Sequence, residues 1–131
     1  MSLMNKELSR KLTEKYPQLL RYVDGSCGRY KNSESYDFQC GDGWHDLVDN
    51  MCREIVSLGD PNVVLVQVKE KFGYLRVYCE QVENRDVYVV ISNHEERSVT
   101  TCMSCGNNEG KLGGKGWVNV LCDPCRAKKK F

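Results

Sequence analysis

The sequence predicts an α+β fold: a small antiparallel β-hairpin or sheet packed on helices, closed by a compact C-terminal module. Three observations predict it. Apolar residues recur at helical spacing from Trp44 to Leu58. Two alternating runs, Val63 to Lys71 and Tyr74 to Glu80, meet at Phe72-Gly73 as the strands of a hairpin do. Two Cys-x-x-Cys pairs then close the chain. The 131 residues are 40 % apolar and 28 % charged, which suits one ordinary domain with a modest core and excludes wholesale disorder.

Each element follows from local chemistry. Residues 1–99 read as an α+β body and residues 100–131 as the C-terminal module. Met1-Ser2-Leu3-Met4 reads as an added leader before a start at Met4 and stays outside the fold expectation. Residues 5–15 form a short helix, capped by Asn5, with Leu8 and Leu12 on one face and Pro17 at its end. Leu19, Leu20, Tyr22 and Val23 follow as an apolar patch. Residues 24–43 are rich in Gly, Ser, Asn, Asp and Tyr and read as a long loop. In the Trp44–Leu58 helix, Leu47, Val48, Met51, Cys52, Ile55 and Leu58 make the buried stripe, Asp42 the cap, and Gly59 and Pro61 the stop.

Alternation assigns the hairpin faces. Val64, Val66 and Val68 share one face of the first strand, and Leu75, Val77 and Cys79 share one face of the second. The outer faces carry Gln67, Lys69 and Lys71 opposite Tyr74, Arg76 and Tyr78. Residues 84–99 fit either a β-branched strand or a helix, and the spacing of Val87, Val90, Ile91 and His94 favours the helix, with Asn84 or Asp86 as its cap.

Eight cysteines fall into two groups. Cys27, Cys40, Cys52 and Cys79 are scattered. Cys102, Cys105, Cys122 and Cys125 form two pairs with sixteen residues between them. Two residues between thiolates let one tight turn aim both sulfurs at a single ion. A hairpin then returns the second pair to complete a tetrahedron. Gly106 suits the turn after the first pair. Gly110, Gly113, Gly114 and Gly116 suit the hairpin loop, and Trp117, Val118, Val120 and Leu121 its returning strand. Cys125-Arg126-Ala127-Lys128 starts a short helix, the order of a treble clef rather than a plain zinc ribbon. The expected cofactor is one Zn2+ held by all four thiolates. Its role is structural, because four thiolates leave no position for water. Tetrathiolate iron is the alternative metal.

Net charge is +1, which excludes a generic polyanion coat, but the charge is uneven: residues 1–100 carry −3 and residues 101–131 carry +4. Lys128, Lys129 and Lys130 form a basic tail. With Lys69, Lys71, Tyr74, Arg76 and Tyr78 on the sheet, they are the candidate nucleic-acid-binding residues, since cations neutralise phosphate and tyrosines stack on unpaired bases. A host protein fits the same surface. Two other readings compete. Asp37, Asp42, His45 and Asp46 point to an enzyme site in the 24–46 loop, one that can use a second, open-site metal. Cys27, Cys40 and His45 are candidates for a second metal site. No phosphate loop or hydrolase elbow is present. Binding is favoured over catalysis, so no catalytic residue is assigned. No apolar run reaches the roughly 18 residues that span a bilayer, so no membrane partner is expected.

Three segments carry a resemblance: Cys40-Gly41-Asp42-Gly43-Trp44, Gln67-Val68-Lys69-Glu70-Lys71-Phe72-Gly73-Tyr74-Leu75-Arg76, and Arg97-Ser98 just before Cys102-Met103-Ser104-Cys105-Gly106. Over residues 38–125 the chain resembles a family of small bacteriophage- and prophage-encoded proteins with a C-terminal four-cysteine module. The family pattern has two glycines where this chain has Gly73-Tyr74. The resemblance implies a bacterial cytoplasmic setting, often during infection, and implies no activity.

Overall fold

The computed structural model describes residues 3–23, 30–31, 36–116 and 118–128. Cys27, Trp117, Lys129 and Lys130 lie outside the described residues. Helix α1 spans Lys6–Lys15; the Asn5 side chain accepts the Glu7 N–H at 2.7 Å, capping it as its position predicts. Strands β1 (Tyr22–Val23) and β2 (Tyr30–Lys31) pair antiparallel. Strand β3 (Phe38–Gln39) leads through a single 3-10 turn, Asp42–Trp44, into α2 (His45–Ser57). Strands β4 (Val64–Lys71) and β5 (Tyr74–Glu80) form the hairpin, and α3 covers Asp86–Ser98. The chain closes with β6 (Lys111–Gly113), β7 (Asn119–Leu121) and α4 (Asp123–Lys128). The mixed α+β class and its small sheets follow the sequence expectation, and residues 86–98 are helical.

The central sheet has the order β3-β4-β5. Its β3 strand runs parallel to β4, pairing Phe38 with Val68, and α2 makes the crossover between them. The expected 24–43 loop is therefore corrected in its second half. Tyr36, Phe38 and Cys40 are core residues, and the Tyr36 hydroxyl donates to the Leu65 carbonyl at 2.7 Å. The N-terminal expectation is corrected too. Met4 is buried, and its N–H donates to the Phe38 carbonyl at 3.0 Å, so it extends the sheet side of the core.

A bulge corrects the inner face of β4. Leu65 opposes Cys79 and Gln67 opposes Tyr78, leaving Val66 without an opposite residue. The slip of one residue puts Leu65 and Val68 in the core and leaves Val66 half-buried. Asp42 is corrected as well. It opens the 3-10 turn, and its carboxylate accepts the Asn5 N–H at 2.7 Å, tying the start of α1 to the start of α2.

The free edge of β5 is closed by α3. The Leu75 N–H donates to the Ser98 hydroxyl at 3.0 Å, and the Val77 N–H donates to the Glu95 carboxylate at 3.2 Å. An otherwise open strand edge is thus satisfied by side chains rather than by another strand. His94, 1 % exposed, donates through Nδ1–H to the Val90 carbonyl at 2.8 Å. Its Nε2 lies 3.0 Å from Glu54 of α2, outside hydrogen-bonding angles.

Candidate metal centre and basic hairpin face

The 102–125 segment brings its four cysteines together. All four sulfurs lie within 4.8 Å of one another, and the Cys105 and Cys122 sulfurs are 3.7 Å apart. Thiolates about 2.3 Å from a shared Zn2+ in a tetrahedron stand about 3.8 Å from each other, so this spacing suits one ion. Among the described residues this is the one group of three or more Cys, His, Asp or Glu side chains so gathered.

Local structure accounts for the convergence. The first pair sits on a tight turn in which the Gly106 N–H donates to the Cys102 carbonyl at 3.0 Å. Gly106 has φ +82°, a conformation that suits a residue without Cβ. The Cys105 N–H approaches the Cys102 sulfur at 3.4 Å. The β6–β7 hairpin returns the chain, and α4 carries Cys125. Arg126 laces these pieces: it donates to the Asn119 side chain at 2.9 Å and to the Lys111 carbonyl at 2.7 Å. Arg126 is one of the cations behind the +4 of residues 101–131, yet its guanidinium is spent inside the segment. Lys111 in turn faces Asp123 at 3.4 Å.

The thiols titrate unequally. Burial pushes Cys102 up, but the N–H groups of Cys105, Cys122 and Ser104 outweigh it and hold the thiol at about 6. Cys125 is pushed up to about 12, first by its hydrogen bond to Cys122 and then by desolvation. The Cys102 thiolate forms readily while Cys105 and Cys125 resist ionising, and a cation bound among the sulfurs favours the thiolate form of its ligands.

The cysteine turn is seated on the Gly41-Asp42-Gly43-Trp44 motif. The Gly43 N–H donates to the Met103 carbonyl at 3.0 Å, and Trp44 Nε1 donates to the Thr101 carbonyl at 2.8 Å. A Cβ on Gly41 would fall 2.4 Å from the Met103 carbonyl oxygen, and one on Gly43 2.2 Å from that of Cys102. Both glycines are there because backbone passes directly over them. Gly73, at the hairpin tip, meets a side chain of the β6–β7 hairpin instead: a Cβ would fall 2.4 Å from Leu112 Cδ1. The sequence signal for the Gly41 and Gly43 contact is the Gly-x-Gly spacing before Trp44.

The second candidate region is the outer face of β4–β5. Register puts Lys71 opposite Tyr74, Lys69 opposite Arg76 and Gln67 opposite Tyr78, so the five predicted sheet residues share one face. The Lys69 ammonium lies 6.0 Å from the Tyr78 ring centre, and the Arg76 guanidinium 5.3 Å from that of Tyr74. Lys128 is exposed at the end of α4.

The remaining candidates are not gathered into a site. Asp42 is engaged with Asn5, and His45 Nδ1 lies 3.0 Å from its neighbour Asp46. Asp37 is exposed. Burial pushes the Cys40 thiol up to about 12, with the Glu70 and Asp42 charges adding to it, so Cys40 stays a protonated core thiol. Burial raises Cys52 and Cys79 likewise. Among the described residues, no helix is long and apolar enough to cross a membrane.

No protein-family model, curated protein or solved structure matches the chain. The phage-family resemblance therefore rests on the three motif segments that carry it.

Proposed function

We propose that this protein is a non-enzymatic nucleic-acid-binding module built around one structural Zn2+ in a treble-clef arrangement. The order of turn, hairpin and short helix, with one cysteine pair on the turn and one at the helix, supports the treble clef over a plain ribbon. Four sulfurs fill the coordination of the ion and leave no position for substrate, which supports a structural role. The observation that carries the binding reading is the outer hairpin face: Lys69, Lys71 and Arg76 alternate there with Tyr74 and Tyr78, all five on one surface. Cations in such a row neutralise successive phosphates while the rings offer stacking area. The basic tail at Lys128, Lys129 and Lys130 is a second contact in this proposal.

The test is an anisotropy titration at low salt with DNA and RNA strands. Lys69→Gln/Lys71→Gln/Arg76→Gln should weaken binding similarly for every sequence and flatten the salt dependence by roughly 2–3 in log–log slope. Unchanged affinity and slope in that triple variant contradict the reading. Absence of binding to any nucleic acid leaves an acidic surface of a host protein as the ligand of the same face.

A further inference from the structure

Phe72 occupies a position that the fold does not explain. It has φ +54° and is followed by Gly73 at φ +84°, so the two-residue turn demands the left-handed conformation at both places. Asn, Asp and Gly meet that demand at low cost, and a bulky aromatic does not. The ring gains nothing from burial either, since Phe72 is 73 % exposed, the most exposed large apolar side chain among the described residues. Neither backbone preference nor the core accounts for an aromatic here. Strained positions held by the surrounding structure concentrate at functional sites.

The surroundings show what an exposed ring at this place can do. Phe72 lines a cleft of about 300 Å³ with Lys71, Arg76, Val77, Tyr78 and Glu95. Its lining thus combines two cations, Lys71 and Arg76, with two aromatic rings, Phe72 and Tyr78. The Glu95 carboxylate, held by the Val77 N–H, closes the cleft from α3. Phe72 and Tyr78 offer a flat group ring surface inside the cleft, and Lys71 and Arg76, in the same lining beside the single Glu95 carboxylate, suit the phosphates on either side of it. Leu112 of the β6–β7 hairpin lies against Gly73, next to the ring.

We infer that the cleft beside Phe72 seats an unpaired base, so that the ligand of the basic face is single-stranded nucleic acid, with Phe72 as the principal stacking residue. The inference rests on the nucleic-acid reading of that face and narrows it. A base paired in a duplex has both faces covered by its neighbours and cannot enter, whereas every base of a single strand offers a free face.

The experiment uses the full zinc-loaded chain and a fluorescent mixed-sequence DNA strand of about 15 nucleotides, single and as its duplex, at low salt. Phe72→Ala and Phe72→Gly should each weaken single-strand binding roughly 5- to 150-fold and leave duplex binding unchanged. Phe72→Trp should restore single-strand binding, and its indole fluorescence should quench as the strand is added. Phe72→Gly relieves the turn, so a melting temperature at or above that of the parent shows that the loss of affinity is not a loss of fold. Equal affinity for single strand and duplex, or an undiminished single-strand affinity in both small variants, overturns the inference. In either case the basic-face reading survives if Lys69→Gln/Lys71→Gln/Arg76→Gln still weakens binding. No binding to either form overturns both.

Discussion

Residues 4–91 contribute one contiguous apolar cluster that runs from Met4 through Leu12, Tyr36, Trp44 and Ile55 to Ile91. Residues 102–125 bury a far smaller cluster of Cys102, Leu121 and Cys122, with Met103 and Cys125 beside it. The body can stand on burial, because each fully buried large side chain contributes about 1.5–3 kcal/mol. The cysteine segment lacks that apolar area and relies on point contacts. They are the four sulfurs, the Arg126 hydrogen bonds and the backbone seated on Gly41 and Gly43. The comparison teaches that a short segment with little core needs cross-links, and that its glycines mark where it is docked.

The largest expected effect breaks the segment alone. Cys102→Ser or Cys122→Ser should lose about one equivalent of metal and on the order of 10 kcal/mol of local folding free energy. Amide hydrogen exchange should then show residues 102–125 unprotected and α2 still protected. Loss of protection in α2 to the same degree would mean the two regions share one source of stability.

The body should answer to burial instead. Leu65→Ala should cost roughly 2–5 kcal/mol in urea unfolding, while Val66→Ala, at the bulge, should cost about 1.5 kcal/mol or less. Equal losses would put the bulge in the wrong place. The seat between the regions falls next: Gly43→Ala forces a Cβ into the Cys102 carbonyl and should cost roughly 1–3 kcal/mol while lowering zinc affinity. A variant as stable and as tightly metallated as the parent would remove the docking argument.

How much of this was legible in the sequence follows from the range of each interaction. The α2 stripe and the paired cysteines announce themselves by spacing within one element. So does the outer face of β4–β5, because the bulge falls before Gln67 and leaves the later alternation intact. Contacts between distant segments were silent. Nothing local to Phe38 announces a parallel partner at Val68, nothing near Met4 announces a place in the core, and Val66 carries no mark of a bulge. The Gly41-x-Gly43 spacing was visible, but its meaning lies sixty residues away at Cys102 and Met103.

The smallest expected effect is electrostatic and confined to the body. Desolvation pushes the Asp49 carboxyl up, but hydrogen bonds from Tyr16 and Lys15 outweigh it and hold it below the usual range. Its contribution is therefore present above the unfolded value of about 3.9 and lost as pH falls through the lower folded value. Asp49→Asn should lower stability at neutral pH by about 1 kcal/mol or less, and the gap to the parent should close in acid. A gap that persists at low pH would assign the effect to packing.

The central claim is that one ion holds the four cysteines, and X-ray absorption at the zinc edge on purified protein tests it most directly. One zinc per chain with four sulfur neighbours at about 2.3 Å is the predicted result. A folded chain without zinc, or a zinc whose first shell contains nitrogen or oxygen, would contradict it.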